Sequence, residues 1–416
     1  MVPLNVRVGF FLALRALKRA SLWTTGLIVF VMVLTFLNLV VISGILVGLL
    51  QGAVDAVRTE YTSDVIVSTL ADKSYIENSA NLIALAKELP GVEKVTARYI
   101  EAARLEAGYQ SRKESDKPDI ANALVVGIDP AVEDAVTDIS KEIVEGEFLT
   151  AGDYDKIVLG SYLLKQYIPF ETPGLATLEN VGIGTKIRIH VGDVVREVTV
   201  KGILKSKVDE IALRAFMVDS QFRSIIGRND GNIDELAIKV EEDVDPVAVR
   251  ERLKLQGVDE VARVQTYDDA QPQAFKDVIN TFNMLGAMFS SIGLVVASVT
   301  IFIVIFVNAL TRRKFIGILK GIGISGRAVE ISYVFQSIFY AVIGSGIGLI
   351  LVYGLLVPYF IANPIDFPFS DGILVAPYEQ TFFRVGLLVV STIIAGYIPA
   401  WMIIRRNTLD SILGRN

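Results

Sequence analysis

Few side chains in this sequence are equipped for chemistry. Its 416 residues include no cysteine and one histidine, His190. That excludes disulfides, a cysteine nucleophile, thiolate metal sites and any site built from several histidines. His190 is the one histidine base on offer, and it stands in Lys186-Ile-Arg-Ile-His190-Val, whose alternation marks a strand. An ordinary strand position is the reading this pattern favours. Glu145, Glu147, Asp153 and Asp155 lie close together, but an acid pair needs a pocket, and a solvated acidic face is the simpler account. Gly182-Ile-Gly184-Thr185 is a bare G-x-G, read as a turn before a strand rather than a phosphate loop. No G-x-S-x-G, H-E-x-x-H or Walker A pattern occurs, so a catalytic ectodomain is disfavoured.

Apolar runs dominate what is left. The hydrophobic fraction is 52% and the mean hydropathy +0.49. Four uncharged stretches, 21–54, 278–311, 331–365 and 385–404, each meet the ~20 residues a membrane helix needs. Charge then gives direction. The formal total is 40 − 46 = −6, and residues 51–277 carry 27 − 41 = −14 of it. The short pieces are basic: Arg7, Arg15, Lys18 and Arg19 before the first span, Arg312, Arg313, Lys314, Lys320 and Arg327 after the second, and Arg405, Arg406 and Arg415 in the tail. Cytoplasmic flanks collect Lys and Arg, whereas long domains translocate regardless of charge. Both termini and the 311–327 loop are therefore expected in the cytoplasm, with the large domain and the 358–384 loop outside the cell (inner) membrane. The outer domain's acidity and its lack of a basic aromatic patch oppose nucleic-acid binding.

The expected organisation follows: 1–20 an amphipathic helix in the inner interface; 21–54 the first span with a stalk; 55–277 an extracytoplasmic α+β domain; 278–310 a second stalk and span. Next come 311–327, a cytoplasmic loop; 328–357, the third span; 358–384, an outer loop; 385–404, the fourth span; and 405–416, the tail. In 1–20, Arg15, Lys18 and Arg19 share a face with Phe10, Phe11, Leu14 and Leu17 interleaved; a solvated flank that only sets orientation is the alternative. A run of 34 residues, as in the first two spans, makes about 50 Å of helix against a ~30 Å hydrocarbon core. Tilt takes up some excess, and a stalk takes the rest, with Gln51, Asp55 and Thr59 and Asn280, Thr281 and Asn283 marking the exit from lipid. Gly44, Gly48 and Gly52 recur every four residues in span one, and Gly344, Gly346 and Gly348 cluster in span three. Such spacing serves close helix packing or a dimer contact.

The large domain reads as mixed α/β. Strands are expected at 64–68, 92–100, 123–127, 235–240 and 261–266, with helices at 79–89, ended by Pro90-Gly91, and at 246–255, opened by Asp245-Pro246. That order, β-α-β-β then β-α-β, fits a ferredoxin-like α+β unit split by a β-rich insertion at about 128–230. The insertion holds a hairpin, 186–191 and 194–204, turning at Gly192-Asp193, and Phe148, Tyr162, Tyr167 and Phe170 give it apolar material.

The segment after the second span reads Arg312-Arg-Lys-Phe-Ile-Gly-Ile-Leu-Lys320-Gly-Ile-Gly323. A short helix there lays Phe315, Ile318, Leu319 and Ile322 on a partner surface; an orientation loop with an interfacial turn is the alternative. At this segment the chain resembles the permease subunits of MacB/LolC–LolE/FtsX-type ABC transporters, which carry a motif like R-x-R-E-I-G-x-L-K-A-x-G here. A second family motif, G-x-x-P-A before a basic end, matches Gly396-Tyr-Ile-Pro399-Ala400 with Arg405-Arg406. In the outer domain Val126-Gly-Ile-Asp-Pro130, Glu145-Gly-Glu-Phe148, Val158-Leu-Gly160, Val181-Gly-Ile-Gly184 and Lys201-Gly-Ile203 recur in the family's order. The resemblance covers nearly the whole chain. It departs at Phe315, where the family has Glu, and in the tail, where Arg406-Asn-Thr-Leu-Asp-Ser-Ile-Leu413 replaces P-x-E-A-L.

The resemblance implies a permease dimer, of two identical or two related chains, resting on two copies of a separate ABC ATPase. ATP and Mg belong to that partner, and this chain is implied to bind no cofactor or metal and to catalyse nothing. It implies an ATPase-coupling set of Arg312, Arg313, Phe315, Gly317, Ile318, Leu319, Lys320 and Gly323. ATP-driven closure would move the stalks and the outer domains, a mechanotransmission scheme, to export or extract a lipoprotein, lipid, peptide or drug. An adaptor, lipoprotein or hydrolase is an implied outer partner, beside membrane lipids. Lys205-Ser-Lys-Val-Asp209 through Arg214-Ala-Phe-Met-Val218 follows the hairpin much as in lipoprotein-releasing permeases, which points to lipidated cargo. The alternative is an FtsX-like or sensor-type transducer that activates a hydrolase or signalling partner without transport.

Overall fold

The structure, a computed structural model, describes residues 3–110, 112–113, 117–168, 174–271, 273–363, 365–367, 370–372 and 374–404. Phe170 and the tail motif from Arg405 onward lie outside them. The chain divides into a helical unit, 1–50, 276–367 and 371–416, and an α+β unit, 51–275 with 368–370.

Among the described residues six helices build the helical unit: α1 (Leu4–Lys18), α2 (Leu22–Thr62), α3 (Gln273–Thr311), α4 (Arg313–Gly321), α5 (Gly326–Ala362) and α6 (Tyr378–Ile404). Four of them, α2, α3, α5 and α6, are long and apolar enough to cross a membrane. Their inward faces repeat at a spacing of four. Ile28, Met32, Phe36 and Val40 of α2 share one buried cluster with Ala297, Ile301, Ile305 and Ala309 of α3. Outward, Val295, Val299, Ile303 and Val307 stay exposed, as lipid-facing residues do.

Three spans are overlong, not the two expected. At 1.5 Å per residue the 41 residues of α2 reach about 60 Å, and the 37 of α5 about 55 Å. The third span starts at Gly326 because the Ser325 hydroxyl caps it, accepting from the Ala328 amide at 3.2 Å. A wide π turn at Val352–Leu356 then lets Pro358 enter at the start of a final segment, Val357–Ala362, where its missing N–H costs little.

Among the described residues the α+β unit contains ten strands: β1 (Val65–Thr69), β2 (Val92–Ala107), β3 (Asp119–Ile128), β4 (Ile143–Gly146), β5 (Lys156–Gly160), β6 (Lys186–Val191), β7 (Val194–Leu204), β8 (Arg214–Val218), β9 (Glu235–Val240) and β10 (Ala262–Thr266). The order β10-β1-β9-β2 with helices Ser79–Glu88 and Pro246–Leu255 is the ferredoxin-like arrangement. Asp245 caps the second helix through the Val247 amide at 2.9 Å, with Pro246 at its first turn. Val65, Val67, Leu82, Ile238, Val249 and Leu253 form its core.

The boundary of the insertion differs from the expected 128. Residues 92–98 of β2 pair with β9, and the same strand continues from Tyr99 to pair with β3. The second lobe therefore starts inside β2, and β3, expected in the ferredoxin-like half, lies parallel to β8 in the other sheet. Nothing in the sequence marks the handover, because 16 residues run extended with no Gly, Pro or turn residue to interrupt them. The hairpin β6–β7 pairs Ile187 with Val198 and Ile189 with Arg196, and Gly192 turns it at φ 54°.

Candidate coupling site

Helix α4 follows α3 after a break at Arg312. At about 100° per residue, Phe315, Ile318, Leu319 and Ile322 fall in one stripe. Phe315, Ile318 and Ile322 are 56%, 53% and 72% exposed, while Ile316 and Gly317 on the other side are buried. Large apolar groups turned outward beside Arg312, Arg313 and Lys314 make a basic, greasy surface. Within the expected coupling set, Gly317 faces inward and Leu319 is half-buried. Lys320 reaches back, its Nζ donating to the Ile404 carbonyl of α6 at 2.9 Å. Gly323 ends the helix. At φ 95° it lets the Ile324 amide bond Leu319 O at 3.0 Å and its own amide bond Lys320 O at 3.1 Å.

The expected packing glycines occupy contacts within one chain. A Cβ on Gly344 would stand 2.4 Å from Met32 Cβ, and one on Gly348 2.2 Å from Phe36 Cδ1, so α5 crosses α2 at these two positions. Gly44 meets Leu374, and its carbonyl accepts the Val375 amide at 3.2 Å. Gly48 is buried and Gly52 half-buried.

The end of α2 belongs to the α+β unit and is fastened there by buried charge. Arg98 is fully buried at the point where β2 changes sheets. It bonds Glu133 at 2.6 Å, Glu235 at 3.2 Å and the Tyr61 carbonyl at 2.7 Å. Arg214 of β8 grips Glu235 through both oxygens at 2.8 and 3.0 Å, and the Tyr61 hydroxyl donates to the same carboxylate at 3.0 Å. Burial alone would push the Glu235 carboxyl up, but Arg214 and then Arg98 outweigh it and hold it down at about 2. Arg58 pairs with Asp64 at 2.5 Å, and Ser206 bonds Glu60. Segment 57–62 is therefore gripped by both lobes of the unit.

The remaining candidates resolve into local partners. His190 Nε2 meets Glu106 at 3.0 Å within the β2–β6 pair. Asp153 holds Lys201 at 2.7 Å, Asp155 holds Arg196 at 3.2 Å, and Glu145 accepts from Tyr167. The G-x-G turn is closed by the Gly182 amide on Thr185 Oγ1 at 3.1 Å.

Both units have counterparts among known proteins. Residues 25–256 match the MacB-like periplasmic core domain, more than half of the chain, and residues 287–408 the FtsX-like permease C-terminal family. This chain belongs to the MacB/FtsX-type family of ABC transporter permeases. An uncharacterized ABC transporter permease of Methanocaldococcus jannaschii is 26% identical over 240 residues, 54% of this chain and 58% of that relative's length. The periplasmic region of MacB from Actinobacillus actinomycetemcomitans is similar at TM-score 0.36 and 16% identity, over 54% of this chain and 95% of that one. The extracellular domain of the transporter YknZ from Gram-positive bacteria is similar at TM-score 0.31 and 14% identity, over 49% and 98%. The permease is a membrane protein by its four apolar helices and its family. Its charge network escapes sequence reading because Tyr61, Arg98, Glu133, Arg214 and Glu235 come from five separate segments. The available signal is a lone charge in an otherwise apolar strand at Arg214; Arg98 and Glu235 share their strands with other charges and do not stand out.

Proposed function

We propose that this permease is the non-catalytic membrane subunit of an ABC machine. Two copies of a separate ATPase, which would hold ATP and Mg, bind the α4 stripe of a permease dimer from the cytoplasm. Their closure shifts α2 and α3 and so the extracytoplasmic α+β unit, which exports or extracts an amphipathic cargo, with lipidated protein favoured. The outward stripe Phe315, Ile318, Ile322, on and just after the helix that the Gly323 turn ends, carries this reading. The family membership and the locked segment 57–62 support it. Motion is driven only if the ATP-bound and ATP-free partners bind the stripe with different free energies.

The test is I318D and F315D in the chain reconstituted with its ATPase. Both variants should insert normally while losing cargo-linked stimulation of ATP hydrolysis by about tenfold or more, as removal of an interfacial anchor worth ~2 kcal/mol predicts. Wild-type coupling in both would leave the segment a topological flank. Recovery of a wall hydrolase or sensor kinase, with no cargo moved, would favour a transducer.

A further inference from the structure

Helices α1 and α4 enclose a cleft of about 450 Å³ in the helical unit. Arg15, Arg19 and Arg312 line it together with Phe11, Phe315 and Leu319, and no carboxylate does. Among the described residues none of these three arginines has an ion-pair partner. Three guanidiniums around one small space repel each other. Arg312 adds a second conflict: with Arg313 and Lys314 it places positive charge at the N-terminal end of α4, where the helix dipole already favours an anion.

The apolar wall narrows the choice of anion. Phe11 and Phe315 are 60% and 56% exposed, and Phe10 and Leu14 extend the same apolar surface along α1. Leu22 and Trp23, about one turn beyond α1, are 89% and 90% exposed, which suits residues at the edge of the hydrocarbon. The cleft therefore lies at headgroup depth. A soluble phosphate would use the arginines and leave the rings in water, whereas a phospholipid satisfies both. Basic pockets between helices at this level suit anionic headgroups.

We propose that the cleft between α1 and α4 binds one anionic phospholipid, its phosphate among Arg15, Arg19 and Arg312 and its acyl chains along Phe11 and Phe315. The lipid ties the coupling helix to α1, so it sets how firmly α4 is held when the partner ATPase moves. That regulatory role rests on the coupling reading; the binding itself does not, and it is measured without the ATPase.

The experiment is native mass spectrometry of the full chain released from phosphatidylcholine bilayers containing phosphatidylglycerol. Wild type should retain one phosphatidylglycerol per chain. R15Q/R19Q should retain it roughly thirtyfold less tightly, as loss of two juxtamembrane cations predicts. R15K/R19K should keep it. R7Q/K18Q makes the same charge change on α1 outside the cleft and should behave as wild type. Equal loss in R7Q/K18Q, or no preference for phosphatidylglycerol over phosphatidylcholine, would overturn the site in favour of diffuse attraction. Displacement by millimolar inorganic phosphate would show a free-anion site instead. Full lipid retention in R15Q/R19Q with loss of ATPase binding would assign the cleft to the partner protein.

Discussion

Glu235 and its neighbour Asp234 respond to acid in opposite ways. Glu235 sits between Arg214 and Arg98, with its carboxyl at about 2 in place of the usual 4.5. Its contribution to stability is full above its ordinary range and disappears as pH falls toward 2. Asp234 is pushed up to about 6 from 3.8, first by burial, with the charges of Glu101 and Glu235 adding to it against the Ile100 amide and Arg228. Its stabilising effect is full below 3.8 and is lost as pH rises through 6. D234N should therefore flatten the loss of thermal stability between pH 4 and 7, measured by unfolding of the full chain in detergent; an unchanged slope would disprove the assignment. E235Q leaves two guanidiniums with one compensating carboxylate, Glu133. It should cost about 3–5 kcal/mol at neutral pH, the range for breaking a buried pair from one side. A shift in the unfolding midpoint within error would remove the network from the account of stability. Single residues divide by the range of their contacts. Gly323 is legible because glycine after a short helix has a local explanation. Arg98 and Glu133 are not, because their meeting at 2.6 Å joins a strand to a helix 35 residues away.

Helix crossings set a second pair of residues apart. Gly344 faces Met32 Cβ with the Met32 backbone carbonyl carbon behind it at 3.3 Å, whereas Gly348 faces the ring of Phe36. A ring swings aside more easily than a Cβ. G344A should therefore lower the melting temperature in detergent more than G348A, consistent with about 1–3 kcal/mol for overpacking a tight contact. The reverse order would mean that α2 shifts as a body. Elements with strong periodicity or punctuation are legible: the hairpin at Gly192-Asp193, the helix after Asp245-Pro246 and the four apolar spans. Strands β5 and β8 are not. Ile157 to Gly160 and Ala215 to Val218 are buried on both faces, so no alternation distinguishes them from any short apolar run. Residue pattern marks the apolar stripe of α4, but not that Gly317 turns inward while Leu319 lines a cleft beside α1.

At the scale of the whole molecule, charge predicts polarity. Protease added to sealed spheroplasts should cut within residues 60–275, while inverted vesicles protect them; the opposite result would reverse the direction of the proposed mechanism. The long strand β2 has a consequence for anyone dividing this protein. Since 99–107 supplies the edge on which β3 and β6 hydrogen-bond, a fragment starting at residue 128 would carry an unsealed ladder for β6 and would clump with itself. Chimeras that exchange this lobe between homologues should therefore be spliced upstream of Tyr99, and since Glu133 and Arg214 then travel with the lobe, the donor must supply the carboxylate and guanidinium that match Arg98 and Glu235 of the recipient.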